Sequence, residues 1–194
     1  MGLNKSSARG TPGLSYLGLM PKYVAFLKAI NVGGHVVKMD ELRELFSGLK
    51  FSNVETFIAS GNVIFETKSA ADQKLERKIE KHLEAALGYA VGTFVRSMEE
   101  IRAISVYQPF SNKGLVLNVG FMREPLSAGV VGQVMGFKTD VDDFHVHGRE
   151  VYWLCQIRQS DSKFPAKKFE KVIGGEATWR NMNTVVRLAE KYCL

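Results

Sequence analysis

The residues Tyr23 to Ile30, YVAFLKAI, constrain the fold of this sequence more than any other segment. Successive side chains of a β-strand point to opposite faces of its sheet, so a half-exposed strand alternates apolar and polar residues. In this segment apolar residues occupy both faces, which predicts a central strand that is covered on both sides. We expect the second half of the chain to pack closely against one of these faces.

Five further elements follow this strand and complete a first half of the chain. The pair Gly61-Asn62 is typical of a tight turn and predicts a hairpin. Ser69 predicts the cap of a longer helix, and Gly88 predicts its end. The five elements are a helix over 39–49, strands over 54–60 and 62–67, a helix between Ser69 and Gly88, and a strand over 90–96. The order βαββαβ is that of the ferredoxin-like sandwich.

The rest of the chain repeats this order in outline. Ser97 and Glu100 form a capping box and open a short helix that bridges the halves. The further predicted elements are a strand over 115–122, a helix over 127–135, a hairpin of 140–146 with 150–157, and helices over 162–173 and 178–192. We therefore predict an α+β protein of two ferredoxin-like halves, 20–97 and 98–194. The second half ends in helix where a fourth strand is expected.

Composition and charge exclude several classes of protein. A content of 45% hydrophobic and 24% charged residues excludes a disordered, collagen-like or disulfide-scaffold chain. Residues 1–19 are rich in Gly and Ser and show no sustained period, so we interpret them as a disordered tail or tag. The net charge of +6 is spread over the chain and does not by itself indicate a nucleic-acid partner.

Cysteine usage and hydropathy indicate the compartment. Cys155 and Cys193 form no CxxC motif, no metal-ligand spacing and no disulfide framework, which favours a reducing, cytoplasmic environment. No run approaches the roughly 18 apolar residues that a membrane span needs. We therefore predict a cytoplasmic protein that does not cross a membrane.

Three separated segments resemble one known family. They are FLKAINVGGHVVKMDELRELF (26–46), FIASGNVIF (57–65) and ATWRNMNTVVRLAE (177–190). In this order they resemble the mainly bacterial family called domain of unknown function 1697, over residues 20–194. The resemblance implies no established activity. Lys28-Ala29 stands where the family usually has Arg-Gly, and Met182 stands where it usually has Trp; Lys28 keeps the charge but lacks the planar fork of arginine.

The segment Asn31-Val32-Gly33-Gly34 links a strand to a helix and has two interpretations. Consecutive glycines allow backbone N–H groups to converge on an anion. The other interpretation, which we favour, is a turn that needs positive φ. Asp40 and Glu41 already place negative charge at the start of the next helix.

Arg180 is the most pointed candidate for a site. It lies in the first turn of the helix predicted from Thr178, where a cation meets the helix dipole unfavourably. A bound phosphate or carboxylate, held with Thr178 and Asn181, would compensate this charge. An ordinary salt bridge with Glu176, or with an acid of the other half, would do so equally well.

Other chemistry receives little support from the sequence. His145 and His147 lie two apart in a predicted strand and could share a metal, but no third ligand is evident, so we predict no metal and no cofactor. Ser60 lies in no GxSxG motif and no Cys-His pairing stands out, so no nucleophile can be named. Whether the protein is an enzyme stays open.

Our leading hypothesis is a protein that binds a small anionic ligand, phosphate- or carboxylate-bearing, between the two halves. The predicted ligand-binding residues are Lys28, Asn31, Gly33, Gly34, Thr178, Arg180, Asn181 and Asn183. The alternative is a nucleic-acid-binding module that uses the basic face Lys163–Lys171, although Glu170 and Glu176 dilute its charge. The physiological partner and the oligomeric state do not follow from the sequence.

Overall fold

The computed structural model describes residues 20–31, 33–111, 114–158, 161–174 and 177–193; the predicted tail at 1–19 lies outside them. These residues form an α+β fold of two similar halves. The first half contains β1 (Lys22–Lys28), α1 (Met39–Gly48), β2 (Ser52–Phe57), β3 (Ala59–Glu66), α2 (Gln73–Leu87), β4 (Gly92–Ser97) and α3 (Met98–Val106). The second contains β5 (Val116–Phe121), α4 (Ala128–Met135), β6 (Asp142–His147), β7 (Glu150–Cys155), α5 (Ala166–Val172), β8 (Thr178–Asn181) and α6 (Met182–Tyr192).

The two halves share one topology. Each has a four-stranded antiparallel sheet, with the orders β2-β3-β1-β4 and β6-β7-β5-β8. Each half runs βαββαβ and adds one helix, α3 or α6, after its last strand. The predicted α+β class, the two similar halves and the final helix are therefore confirmed.

Strand β1 is buried on both faces, as its sequence predicts. On one face, Ala25 and Leu27 pack in a core with Leu42 of α1 and other residues of α1 and α2. On the other face, Phe26 packs against Phe121 of β5, with ring centroids 4.1 Å apart. Helices α3 and α6 contribute to this central core, which joins the two halves. A third core lies between the second sheet and helices α4 and α5.

One boundary in the second half differs from the prediction. Residues Thr178–Asn181 form the fourth strand, β8, and helix α6 begins only at Met182. Trp179 falls at helical spacing from Met182, which explains the mistaken prediction of a helix from 178. The spacing is a coincidence, because Trp179 packs against the third core while Met182 belongs to the central core.

The hairpin turn and the cap of α2 in the first half also differ from the prediction. The chain reverses at Ile58, which has a φ of 62°, and Phe57 pairs with Ala59; Gly61 and Asn62 lie inside β3. Helix α2 is capped by Asp72, whose carboxylate accepts from Leu75 N at 2.9 Å, rather than by Ser69. The predicted capping box of Ser97 and Glu100 and the left-handed Gly88 are confirmed.

Side chains of α2 protect the exposed edge of the first sheet. The edge strand β4 leaves backbone N–H groups without a strand partner. Val95 N donates to Glu76 Oε1 and Thr93 N to Glu80 Oε1, each at 2.8 Å. Arg123 of the second half binds both carboxylates and so links the halves. Burial raises the pKa of Glu76, and these contacts oppose the rise.

Because the halves share a core, we expect them to unfold together. Phe121→Ala removes the ring that stacks on Phe26 and should lower the free energy of unfolding by about 3–5 kcal/mol in one transition. Urea denaturation followed by fluorescence and circular dichroism measures this. Leu115→Ala, at a side chain that is 63% exposed, is the control. Two separate transitions in the Phe121→Ala variant would contradict the shared core.

Candidate functional site

Arg180 lies where β8 of the second half meets the first half. A guanidinium has five N–H donors, and the protein supplies an oxygen for each one. The acceptors are Asn62 Oδ1 for Nε (2.6 Å), Thr178 Oγ1 (2.9 Å) and Trp179 O (2.8 Å) for Nη1, and Leu27 O (2.9 Å) and Gly61 O (2.7 Å) for Nη2. Leu27, Gly61 and Asn62 belong to the first half, so Arg180 ties the two sheets together. We call these five acceptors and Arg180 the Arg180 site.

All five acceptors of the Arg180 site are neutral. Burial lowers the pKa of Arg180 to about 10, so the guanidinium remains protonated at neutral pH. Its Cζ lies 5.4 Å from the ring centroid of Phe26, which adds a cation–π contact. Among the residues that the structure describes, no carboxylate forms an ion pair with it.

Gly61 allows this close approach. A Cβ added at residue 61 would lie 2.9 Å from Arg180 Nη2 and 3.5 Å from Leu27 O. The glycine thus makes space for the guanidinium of the other half, and its predicted place in a hairpin turn is wrong.

Arg96 forms the matching contact in the opposite direction. It lies on β4 of the first half, is fully buried, and donates from Nε to Glu150 Oε1 at 2.7 Å. Its Nη2 donates to Met122 O at 2.7 Å, and its Cζ lies 5.4 Å from the ring centroid of Phe121. We call this group the Arg96 site.

Strand register shows that the two sites are equivalent by pseudo-twofold symmetry. In the first sheet, β1 residue Val24 pairs with Arg96 of β4. In the second sheet, β5 residue Val119 pairs with Arg180 of β8. Each arginine immediately precedes the N-cap of a helix, and each donates to a backbone carbonyl of the other half, Leu27 in β1 or Met122 directly after β5.

The two sites differ at one position that decides their charge. Asn62 pairs with Phe26 and accepts from Arg180, while Glu150 pairs with Phe121 and accepts from Arg96. A carboxylate therefore balances Arg96, and a neutral amide stands in the same place at Arg180.

The residues predicted with Arg180 from β1 and its following turn have local partners. Lys28 Nζ lies 3.1 Å from Glu170 Oε1, an ion pair between the halves. Asn31 Oδ1 accepts from Val37 N at 2.8 Å. Gly33 and Gly34 are exposed and have φ values of 70° and 86°, as a turn requires. The turn follows β1, and within β1 it is Leu27 whose carbonyl oxygen accepts from Arg180.

The predicted residues around β8 are organised by the start of α6. Thr178 is buried and its Oγ1 accepts from Arg180. Asn181 caps α6 by accepting from Asn183 N at 2.9 Å, and Asn183 is exposed. Because α6 begins at Met182, Arg180 does not lie in a first helical turn. The Arg180 charge is unusual because it is buried beside neutral acceptors, and not because it opposes a helix dipole. Ligand binding by the eight predicted residues stays a prediction.

A second cluster, which no sequence motif predicts, surrounds Tyr107 at the end of α3. The Tyr107 hydroxyl lies 2.8 Å from His145 Nε2, and its ring stacks on His147 with centroids 4.4 Å apart. Tyr152 packs beside it at 5.2 Å. The spacing of His145 and His147 was the only sequence signal, and it suggested a metal. No group of three or more potential metal ligands occurs among the described residues.

The basic face Lys163–Lys171 is only partly helical, because α5 begins at Ala166. Lys167, Lys168 and Lys171 are exposed on α5, while Glu170 in the same helix pairs with Lys28. Nucleic-acid binding by this face stays a prediction, and no contact described above favours it. None of the described helices is long and apolar enough to span a bilayer.

The fold and these contacts define an α+β protein of two similar halves, each of which places one arginine against the other half. The family model described as protein of unknown function (DUF1697) matches residues 20–152, and the chain belongs to this family. A solved structure of a conserved bacterial protein, SP0830 from Streptococcus pneumoniae, shares the fold with a TM-score of 0.71 at 24% identity. The match covers 89% of this chain and 98% of that one. No curated protein was found to match.

A double-mutant cycle tests whether Gly61 and Arg180 act as one contact. We expect Gly61→Ala to lower the free energy of unfolding by about 1–3 kcal/mol, because its Cβ displaces the guanidinium. Arg180→Met should cost about 3 kcal/mol, because it leaves buried carbonyl groups unpaired. The loss of unfolding free energy in the double variant should be smaller than the sum of the two single losses by more than about 0.5 kcal/mol.

Arg187→Met, at an exposed position of α6, is the control for the loss of one arginine and should change stability by less than about 0.5 kcal/mol. Chemical denaturation of the four proteins and the control gives all the values. Strictly additive losses would show that Gly61 does not act through Arg180.

Proposed function

We propose that the protein binds a small anion, a phosphate- or carboxylate-bearing molecule, at the Arg180 end of the boundary between its halves. The observation that carries the proposal is the difference between two equivalent arginines. Arg96 Nε donates to the carboxylate of Glu150, whereas Arg180 Nε donates to the amide of Asn62. Among the described residues, a carboxylate thus balances the arginine at one end of the pseudo-symmetric pair and none balances it at the other; Glu176 lies outside the described residues.

Electrostatics favour an anion beside such a charge. Neutral oxygens satisfy the N–H groups of Arg180 but do not cancel its charge. Burial removes water that would otherwise screen it, so a nearby anion is attracted more strongly than by an exposed arginine. The ion pair of Lys28 with Glu170 adds no net charge of its own while it is intact.

Neighbours of Arg180 would make the direct contacts with the anion. Lys28 follows Leu27, whose carbonyl oxygen accepts from Arg180, and its ammonium pairs with Glu170 of the second half. Asn181 uses its side-chain oxygen to cap α6, which leaves its amide N–H groups for a ligand. Backbone N–H groups of Gly33 and Gly34 would extend this set from the turn after β1. The hydrogen bonds of Arg180 itself would remain in place.

Isothermal titration calorimetry of the full chain with inorganic phosphate, pyrophosphate and citrate at low ionic strength tests the proposal. We expect one-to-one binding of at least one of these anions. Asn62→Asp places a carboxylate next to Arg180 Nε, as Glu150 is placed next to Arg96. The added negative charge should weaken anion binding at least tenfold, which is about 1.4 kcal/mol.

Arg102→Gln is the matched control, because it removes the same unit of charge from an exposed position on α3. Its affinity should stay within about twofold of the parent protein, since exposed charges are screened. Thermal melts verify that both variants are folded. If Asn62→Asp binds as tightly as the parent protein, or if none of the three anions binds at millimolar concentration, the proposal is wrong.

A further inference from the structure

Helix α2 carries a row of cations along its exposed face. Lys74 and Lys78 are four residues apart, as are Arg77 and Lys81, and all four residues are exposed. Residues three or four apart are neighbours on one side of a helix. We call these four residues the α2 basic row. At a rise of about 1.5 Å per residue, the row extends over roughly 10 Å of the helix.

The acidic residues in the same part of α2 face the edge of the first sheet. Glu76 is buried and accepts from Val95 N, and Glu80 accepts from Thr93 N. Arg123 of the second half binds both carboxylates. These glutamates are therefore turned away from the α2 basic row, none of whose cations forms an ion pair among the described residues.

The α2 basic row repels itself. Like charges four residues apart destabilise a helix, and the row contains two such pairs, Lys74 with Lys78 and Arg77 with Lys81. Glu84, the exposed acid of α2, lies beyond Lys81 and forms no ion pair in the described part of the chain. An anionic partner that covers this face would relieve the repulsion.

The second half contains the same sequence pattern on α5, and the comparison shows which of its residues are structural. Residues 77–81 are RKIEK, and residues 167–171 are KKFEK. In each, the apolar residue is buried in a core, and the glutamate, Glu80 or Glu170, forms an ion pair with the other half. The central lysine of each lies over a phenylalanine ring. Among the described residues, no contact with another element accounts for the first and last cations.

The two helices differ in how far their acidic side chains are buried. The side chain of Glu170 is 45% exposed among its cations, whereas those of Glu80 and Glu76 are 23% and 2% exposed. Phe164 stands at the position that corresponds to Lys74. Helix α2 therefore presents a longer and less neutralised row of cations than α5 does.

The chemistry of this face distinguishes among anionic partners. The apolar side of α2 is buried in a core, and no large apolar or aromatic residue of α2 is exposed. Helices that insert into a membrane surface use such side chains. Protein interfaces are enriched in aromatic residues and depleted of lysine, and proteins that bind single strands stack the bases on aromatic rings. An exposed row of cations alone fits the phosphate backbone of a duplex.

We propose that the α2 basic row docks on the phosphate backbone of double-stranded DNA without reading its sequence. Successive phosphates of one strand advance about 3.4 Å along the duplex axis, so the row spans about three of them. Duplex RNA is recognised partly through its 2′-hydroxyl groups, but the amide of Gln73, beside the row, already donates to Glu124 and accepts from Arg77. This surface is separate from Arg180 and does not depend on anion binding there.

Fluorescence anisotropy of the full chain with short labelled DNA duplexes tests this inference. The dissociation constant should be about micromolar at low salt and should be similar for duplexes of unrelated sequence. The logarithm of the association constant should fall linearly with the logarithm of the salt concentration. Its slope should be about −3 to −4, because three or four phosphate contacts release their counterions.

The double variant Arg77→Gln/Lys81→Gln removes one like-charge pair and keeps good helix-forming residues. It should weaken DNA binding at least tenfold and reduce the salt slope by about two, without lowering the melting temperature. Arg102→Gln/Arg187→Gln is the matched control, because it removes two charges from exposed positions on α3 and α6. Its affinity for DNA should stay within about twofold of the parent protein.

Absence of DNA binding at low salt would overturn the inference. A loss in Arg77→Gln/Lys81→Gln no larger than that of the control would also overturn it. If only Lys167→Gln/Lys171→Gln loses binding, DNA docks on α5 and the inference is wrong. Duplex RNA, single-stranded DNA and vesicles that contain phosphatidylserine should each bind more weakly than duplex DNA. Equal or tighter binding of any one of them would assign the α2 basic row to another partner.

Discussion

The structure depends on a reciprocal exchange of arginines between two sheets. The arginine on the last strand of each half contacts a phenylalanine on the first strand of the other half and donates to a backbone carbonyl in or directly after that strand. The two phenylalanines, Phe26 and Phe121, stack on each other between the arginines. Breaking one contact therefore exposes backbone carbonyls and one face of the central core at once. This explains how two halves of a modest size can form one stable unit.

Pseudo-symmetry makes the differences between the halves informative. Where two equivalent positions carry the same kind of residue, packing accounts for both. Asn62 differs from its equivalent Glu150 in charge, and Tyr152 differs from its equivalent Ile64 in polarity. Packing alone does not explain these two differences. The proposed anion site rests on such a difference, because Arg180 has an amide where Arg96 has a carboxylate.

Much of the fold could be predicted from local patterns. The apolar faces of β1, the capping box at Ser97 and the glycine after α2 each act within a few residues, so the sequence alone reveals them. Strand β8 could not be found in this way. It has four residues, and the helical spacing of Trp179 with Met182 hid it, although the two side chains enter different cores.

The site was harder to predict because its parts are distant in sequence. Arg180 stood out, but for a reason that does not hold, since it precedes the helix. Its acceptors Leu27, Gly61 and Asn62 are more than a hundred residues away, and Gly61 resembled a turn residue. Tyr107 and Tyr152 carry no motif, and only the packing of α3 on the β6–β7 hairpin brings them together.

Arginine side-chain NMR tests the central claim most directly. Nitrogen-15 spectra of the full chain at neutral pH should show the Nε–H signals of both Arg96 and Arg180 protected from exchange, with magnetisation transfer from Arg180 to Phe26 and from Arg96 to Phe121. Added phosphate should shift the Arg180 signal and leave the Arg96 signal in place. If the Arg180 Nε–H exchanges as fast as that of exposed Arg187, the reciprocal arrangement is contradicted.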